Sequence, residues 1–231
     1  MRIFGFYSKG GRRRKKKNYR PLLLLFIIAL AFGGGVLVHK LVAPNLQGDA
    51  NISYIGDLPV HEDFIAEGTK ARPGEKREIK YLVIHETDNF AAGADAAAHN
   101  SFIHQNADTE PLSWHYTVDD HQVYHHLPDN ETAYHAGDQM VKNGGNRNGI
   151  GIEMCVNADG DYEQTLKNTQ KLCARLLIEY DLKPRALRKH EDFSGKICPA
   201  RLINDDRWDE FCAGVEAQYE QMKAEDAAKN A

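Results

Sequence analysis

The chain has 231 residues, which is enough for one ordinary domain with additional segments. Its charge is divided unevenly: residues 1–48 contain ten Lys and Arg and no Asp or Glu, which leaves 19 basic and 33 acidic residues in the remainder. Because phosphate contacts need clustered Lys and Arg, this acidic body excludes nucleic acid as an expected partner.

The first segment predicts a membrane anchor. Residues 1–20 form a basic tail, and no charged residue occurs from Pro21 to Val38. Eighteen helical residues reach about 27 Å, close to the hydrocarbon thickness of a bilayer, and basic residues before such a span stay in the cytoplasm. We therefore predict a transmembrane signal anchor over residues 21–43, with the body of the protein outside the cell. A cleaved signal peptide, which would give a secreted protein, is the alternative.

Residues 44–77 are polar and contain several prolines and glycines, which predicts a stalk or linker that then wraps onto a domain formed by residues 78–231. In that domain, short apolar runs alternate with helical patterns. Strands are predicted at 79–85, 149–156 and 186–188, a hairpin at 114–127, and helices at 91–105, 162–180 and 208–222. This alternation predicts an α/β fold in which a mixed central β-sheet is flanked by helices.

One segment, RKHEDFSGKICP at 188–199, contains two residues that zinc prefers as ligands, His190 and Cys198, with Lys196 between them. A third ligand is expected from His85, which ends the apolar run of a predicted strand. Three protein ligands would leave a fourth position for water, as in catalytic zinc sites. Because the chain has eleven histidines, a chance spacing of His and Cys is the alternative.

Glu153 interrupts an apolar strand, where a charge is costly unless it has a partner. It is predicted either as a general base beside the metal or as a carboxylate on the open face of an edge strand. The Gly- and Asn-rich loop at 135–147 is predicted to line a cleft, so Tyr134 and His135 are candidates for substrate contact. His115 is expected either near the metal or as a structural residue.

The four cysteines do not indicate a disulfide framework. If Cys198 binds metal, three cysteines remain, and three cannot all form pairs. Cys155 and Cys173 are expected to be small buried thiols, and the state of Cys212 is left open.

Five motifs stand in a characteristic order: IHET at 84–87, SWHYTVDD at 113–120, AYHAGD at 133–138, NGIGIEMC at 148–155 and RKHEDFSGKICP at 188–199. In these motifs the chain resembles the zinc-dependent N-acetylmuramoyl-L-alanine amidases of the type 2 family, over roughly residues 78–212. That family includes bacterial and prophage endolysins and is related to phage lysozyme amidases and peptidoglycan recognition proteins. The phage lysozyme branch has a catalytic tyrosine where this chain has Trp114, so we expect the glutamate-bearing bacterial branch.

The resemblance implies a role for each matching residue. Zn²⁺ would be bound by His85, His190 and Cys198, while Glu153 would act as general base and Lys196 would stabilise an oxyanion. The implied reaction is hydrolysis of the amide between N-acetylmuramic acid and L-alanine of peptidoglycan. The predicted substrate-binding residues are His115, Trp114, Tyr134, His135 and Asn148.

The expected partners are peptidoglycan and, through the N-terminal helix, the membrane, and the chain is expected to act as a monomer. A peptidoglycan-recognition module that lacks catalysis, anchored at the cell surface, is the alternative function.

Overall fold

The computed structural model describes residues 51–229. A seven-stranded sheet runs through them in the order β1-β2-β5-β4-β6-β3-β7. The pairs β1–β2 and β4–β5 are antiparallel, whereas β2–β5, β4–β6, β6–β3 and β3–β7 are parallel, so the predicted mixed sheet is confirmed. The strands are β1 Asn51–Ile55, β2 Leu58–Glu62, β3 Tyr81–Glu86, β4 Tyr116–Val118, β5 Val123–His125, β6 Gly149–Met154 and β7 Leu187–Lys189.

The helices lie between and after these strands. The longest two, α3 and α6, pack against each other on one face of the sheet. The helices are α1 Ala96–Asn106, α2 Gly145–Asn148, α3 Tyr162–Glu179, α4 Glu191–Ser194, α5 Ala200–Asn204 and α6 Trp208–Lys229, with a 3₁₀ turn at Pro184–Ala186.

The two faces of the sheet differ because side chains alternate along each strand. In β3, Leu82 and Ile84 enter the main hydrophobic core together with the apolar residues of α3 and α6. In β6, Ile150 and Ile152 do the same. His85 and Glu153 therefore lie on the opposite face, and the parallel register pairs them directly. A second, smaller cluster of buried apolar residues includes Ile65, Ile103, Trp114, Leu127 and Ala133.

The first predicted helix begins later than the sequence pattern indicates. Gly93 has a left-handed φ of 76°, and the side chain of Asp95 then accepts the backbone N–H of Ala98 as an N-cap. On this helix Ile103 is buried, whereas the neighbouring Phe102 is 47% exposed.

The structure differs from the predicted stalk over the described part of that segment, residues 51–77. Strands β1 and β2 lie within residues 51–62, and β2 extends the sheet by parallel pairing with β5. After β2 the chain clasps the domain through Arg72, whose guanidinium binds Glu131 at 2.7 Å. Of the residues that suggest a linker, Gly56 and Gly68 lie in turns, whereas Pro59 lies within β2.

No helix within residues 51–229 is both long enough and apolar enough to cross a membrane. The predicted basic tail and the predicted anchor over residues 21–43 lie outside the residues that the structure describes.

Candidate metal centre and catalytic cleft

Three adjacent parallel strands, β6, β3 and β7, end at the same edge of the sheet, and each delivers one polar side chain there. Glu153 of β6 pairs in register with His85 of β3. His190 directly follows β7, and its backbone N–H donates to the Ile84 carbonyl at 3.3 Å. Because carboxyl ends of parallel strands share an edge, residues 105 positions apart in sequence, His85 and His190, meet here.

The three predicted metal ligands come together in the structure. His85 Nδ1 lies 3.0 Å from His190 Nδ1 and 3.9 Å from Cys198 Sγ. One ligand atom from each of the three buried residues lies within 4.8 Å of the others. Donors placed at zinc–nitrogen and zinc–sulfur bond lengths around a tetrahedral ion are separated by roughly 3.3 to 3.8 Å. The donor set and its spacing therefore fit one zinc-type ion.

A short turn delivers Cys198. Helix α4 ends at Gly195, which has a left-handed φ of 75°, and the chain then returns to the sheet edge. There the backbone N–H of Glu86 donates to Cys198 Sγ at 3.4 Å. Burial, with a contribution from the Glu153 carboxylate, raises the pKa of the Cys198 thiol to about 12. A cation held among the three donors would offset that cost and favour the thiolate.

The two histidine donors are held in the neutral form that binds metals. Burial lowers the pKa of His85 well below its ordinary value, and the nearby His135 and His190 lower it further. Burial also lowers the pKa of His190, and the Lys196 ammonium adds to this effect.

The Glu153 side chain is largely buried, at 16% exposed, and its Oε2 atom has no hydrogen-bond partner among residues 51–229. Its other oxygen, Oε1, lies 3.9 Å from His85 Nδ1. Burial raises the pKa of Glu153 to about 8, an effect that Glu86 increases and Lys196 opposes. An unpaired buried charge is costly, so this oxygen is placed for a group such as a cation or a water molecule beside the donor cluster.

A cavity of about 310 Å³ opens next to this cluster and is lined by both Glu153 and Lys196. The indole of Trp114 lines it as well, and its N–H donates to Thr117 Oγ1 at 2.7 Å. Phe102 and Leu112 give the cavity an apolar wall. The cleft thus combines a carboxylate, a cation and an apolar surface, which suits a substrate with both amide and aliphatic groups.

The structure gives the other predicted substrate-binding residues different contacts. His115 is fully buried; its Nδ1 accepts the Gly151 N–H, and its Nε2 lies 3.0 Å from the Glu131 carbonyl. The Asn148 side chain donates to the Glu78 carbonyl ahead of β3. The half-buried Tyr134 bonds the Ser113 hydroxyl through its backbone N–H.

His135 lies against His85, with its Nδ1 atom 3.0 Å from His85 Nε2.

Sequence reasoning missed two contributors to the site. Glu86 is buried beneath the cleft, where its carboxylate accepts the Tyr162 hydroxyl and the Arg201 backbone N–H. Its position directly after His85 was the available signal. The second is Phe102, which lines the cleft, and an apolar residue at an exposed helical position is the signal that indicates it.

A second group of potential metal ligands has a structural explanation. Asp119 lies near Asp95 and His121, but its oxygens accept backbone N–H groups of Ala96, His121 and Gln122. It thus closes the β4–β5 turn and caps α1.

Comparison with known proteins gives a consistent result. The family model described as N-acetylmuramoyl-L-alanine amidase matches residues 75–201. The chain is 46% identical over 154 residues to N-acetylmuramoyl-L-alanine amidase XlyA of Bacillus subtilis, covering 67% of this chain and 50% of that protein. It is 42% identical over 159 residues to N-acetylmuramoyl-L-alanine amidase CwlH of the same species, covering 68% and 61% respectively.

A solved structure of the catalytic domain of XlyA superposes with a TM-score of 0.64 at 43% identity, covering 68% of this chain and 98% of that one. The present chain thus spans about half to three fifths of the length of these two curated relatives.

Proposed function

The chain belongs to the N-acetylmuramoyl-L-alanine amidase family, and we propose that it is a zinc-dependent enzyme that hydrolyses the amide between N-acetylmuramic acid and the stem-peptide L-alanine of peptidoglycan. One observation carries the proposal: the donors His85, His190 and Cys198 converge beside the unpaired Oε2 atom of Glu153. A largely buried carboxylate beside a set of metal donors can act as the general base for attack by water on an amide.

His85, His190 and Cys198 would hold the zinc ion. When bound, zinc supplies Lewis acidity, which polarises a carbonyl group and makes water more acidic. Glu153 takes a proton from the attacking water through Oε2, the oxygen that has no partner in the described part of the chain. The same carboxyl group then donates that proton to the leaving amine nitrogen. Proton transfer by a positioned side chain contributes typically about 10²- to 10⁴-fold in rate.

Lys196 has a complementary role on the cleft wall that it shares with Glu153. Its ammonium acts on both Glu153 and the donor cluster, since it lowers the pKa of Glu153, His85 and His190. A cation in this position stabilises the negative charge that develops on the carbonyl oxygen. Loss of one such group typically costs about 2.7 to 4 kcal/mol of transition-state stabilisation.

Product analysis tests this function directly. Purified bacterial peptidoglycan is incubated with the full-length protein, with zinc or with a chelator, and the products are identified by mass spectrometry. We expect stem peptides with a free L-alanine amino terminus, released only when zinc is present. Cleavage within the glycan or the peptide would contradict the proposed bond, and tight binding to intact peptidoglycan would indicate a recognition module instead.

We also propose that residues 21–43 anchor the enzyme in the cell membrane with the catalytic domain outside, where its substrate lies. The basic residues 1–20 followed by an uncharged segment support this orientation. Membrane fractionation and protease treatment of intact spheroplasts test it. We expect a membrane-bound protein whose domain is digested from outside; a soluble protein that begins after residue 43 would show cleavage of the leader.

A further inference from the structure

His135 supports His85 from the side that faces away from the other metal donors. The His135 Nδ1 atom lies 3.0 Å from His85 Nε2, and the His135 Nε2 atom lies 3.2 Å from the Gly149 carbonyl oxygen. Both imidazoles are buried. The three groups form a chain of hydrogen bonds that starts at the backbone of β6 and ends at a metal ligand.

The positions of the protons in this chain follow from its first acceptor. A carbonyl oxygen only accepts, so the hydrogen bond at Gly149 requires a proton on His135 Nε2. In a neutral imidazole the Nδ1 atom then has a free lone pair. The hydrogen bond to His85 consequently requires a proton on His85 Nε2. The lone pair of His85 Nδ1 is left facing His190 Nδ1 and Cys198 Sγ, as a metal ligand must be.

We propose that His135 is a positioning residue that fixes the tautomer and the ring orientation of His85 for zinc binding. This rests on the proposed role of His85 as a zinc ligand. Without an acceptor at this place, His85 could carry its proton on Nδ1 instead, which would block the atom that faces the other donors.

The sequence provides space and support for this ring. A Cβ atom at Gly151 would lie 2.7 Å from His135 Cγ, so only glycine at this position of β6 lets the imidazole pack on the strand. The Asn146 side chain accepts the backbone N–H groups of His135 and Ala136 at 2.7 and 2.6 Å. The GIGIE motif at 149–153 thus supplies the carbonyl, the space and the catalytic carboxylate from one strand.

The same loop also contacts the second histidine donor. The backbone of Ala136 lies near the His190 ring, where it opposes the lowering of the His190 pKa by burial. Adjacent residues of one loop therefore support both imidazoles of the metal centre, which explains why this loop is buried at His135 and Ala136 instead of lying over the cleft.

The tautomer is measured by ¹⁵N NMR of histidine-labelled, metal-free, full-length protein, because protonated and unprotonated ring nitrogens have distinct shifts. We expect the Nε2–H tautomer at His85 in the wild type. It should be lost or mixed in His135→Phe, which keeps the volume but has no acceptor. In His135→Asn it should be restored, because Oδ1 takes the place of Nδ1. A wild-type His85 protonated on Nδ1 would overturn the proposal.

Zinc affinity, measured by competition with a chromophoric chelator, gives a second readout. We expect His135→Phe to bind zinc about 10- to 100-fold more weakly and His135→Asn to bind near the wild-type level. The matched control is His126→Phe, which removes a buried imidazole that bonds Thr117 and Asn100 instead of a zinc donor. Equal losses in both Phe variants would assign His135 a merely structural role and overturn the proposal.

Gly151→Ala keeps every imidazole and places a methyl group 2.7 Å from His135 Cγ, which must displace that ring, so it tests the proposal if His135→Phe does not fold. We expect weaker zinc binding and a mixed tautomer at His85, and unchanged values of both would contradict the proposal. These readouts do not require amidase activity. A protein with the expected tautomer that does not cleave peptidoglycan would refute the proposed function while leaving the positioning role intact.

Discussion

Two carboxylates on this domain, one buried and one largely buried, have opposite surroundings. Glu131, in the region clasped by the N-terminal segment, accepts hydrogen bonds from Arg72 at 2.7 and 2.9 Å and from Lys76 at 2.9 Å. These cations, Arg72 first, hold its pKa below the ordinary range. Glu153, at the carboxyl edge of the sheet, has one oxygen without a partner among the residues that the structure describes, and burial raises its pKa to about 8.

This difference distinguishes Glu131, whose role is structural, from Glu153, which is placed for a role in catalysis. The partners of a fully paired buried carboxylate compensate for its lost hydration, and removing one member of such a pair destabilises the fold because the other charge is left buried and unpaired. A buried carboxylate that is unpaired lowers the stability of the fold. Such a group is typical of a functional site, where a ligand or a metal ion supplies the partner that the protein lacks. In this domain that place is next to His85, His190 and Cys198.

The largest expected effect comes from Glu153→Gln, which keeps the shape of the side chain and removes its basicity. We expect zinc binding to be retained and turnover of peptidoglycan to fall by about 10²- to 10⁴-fold. Zinc content and the rate of stem-peptide release are measured on the same sample. Glu78→Gln, at an exposed carboxylate, is the matched control and should retain activity. Wild-type turnover in a zinc-loaded Glu153→Gln protein would refute the role of general base.

Glu131→Gln is expected to lower the stability of the fold and to leave the metal centre unchanged. The Arg72 side chain, which is 8% exposed, would lose its buried counter-ion, and removal of one partner of such a pair typically costs about 3 kcal/mol. We expect this loss in the free energy of unfolding, measured by urea denaturation, with zinc affinity unchanged. A variant as stable as the wild type would show that the Arg72–Glu131 ion pair contributes little to stability.

The two carboxylates should also respond oppositely to pH. The pKa of Glu131 is lowered by folding, so its contribution to stability is present above the ordinary value of 4.5 and is lost as the pH falls through the lowered pKa. The pKa of Glu153 is raised by folding, so in metal-free protein the wild type loses stability relative to Glu153→Gln as the pH rises from 4.5 to about 8.

Urea denaturation of chelated wild-type protein and of both Gln variants, across this pH range, measures these differences. Parallel pH profiles for the three proteins would contradict the assignment of opposite environments.

The smallest effect is expected from Glu75→Gln. Glu75 pairs with Arg147 at 3.4 Å, but both side chains are well exposed. Exposed pairs of this kind contribute about 0 to 1 kcal/mol, so the free energy of unfolding should change by less than about 0.5 kcal/mol. A loss as large as that of Glu131→Gln would mean that burial does not separate the two ion pairs.

Sequence patterns predict the parts of this fold that depend on local periodicity. The apolar runs around Ile84 and Ile152 and the helical spacing of Leu166, Leu172 and Leu176 correspond to β3, β6 and α3. Strands β1 and β2 were missed because their alternation is short and the prolines and glycines around them resemble a linker. Their place in the sheet depends on pairing with β5, which no local pattern reveals.

At the site, the sequence indicates which residue types are available but not how they are arranged. His85, His190 and Cys198 could be selected as potential zinc ligands from their chemistry. The position of His135 behind His85 could not, because it depends on the missing Cβ of Gly151 in a neighbouring strand. The sequence instead predicts His135 as a cleft residue, because a histidine in a polar loop is ordinarily expected to be accessible to substrate.

The central claim is that Glu153 stands beside a three-ligand metal centre without belonging to it. A crystal structure of the zinc-loaded, full-length protein, with anomalous data at the zinc edge, tests this most directly. We predict zinc bound by His85, His190 and Cys198, with a non-protein fourth ligand within hydrogen-bonding distance of Glu153 Oε2. Zinc coordinated directly by the Glu153 carboxylate, in a closed four-ligand site, would contradict the account.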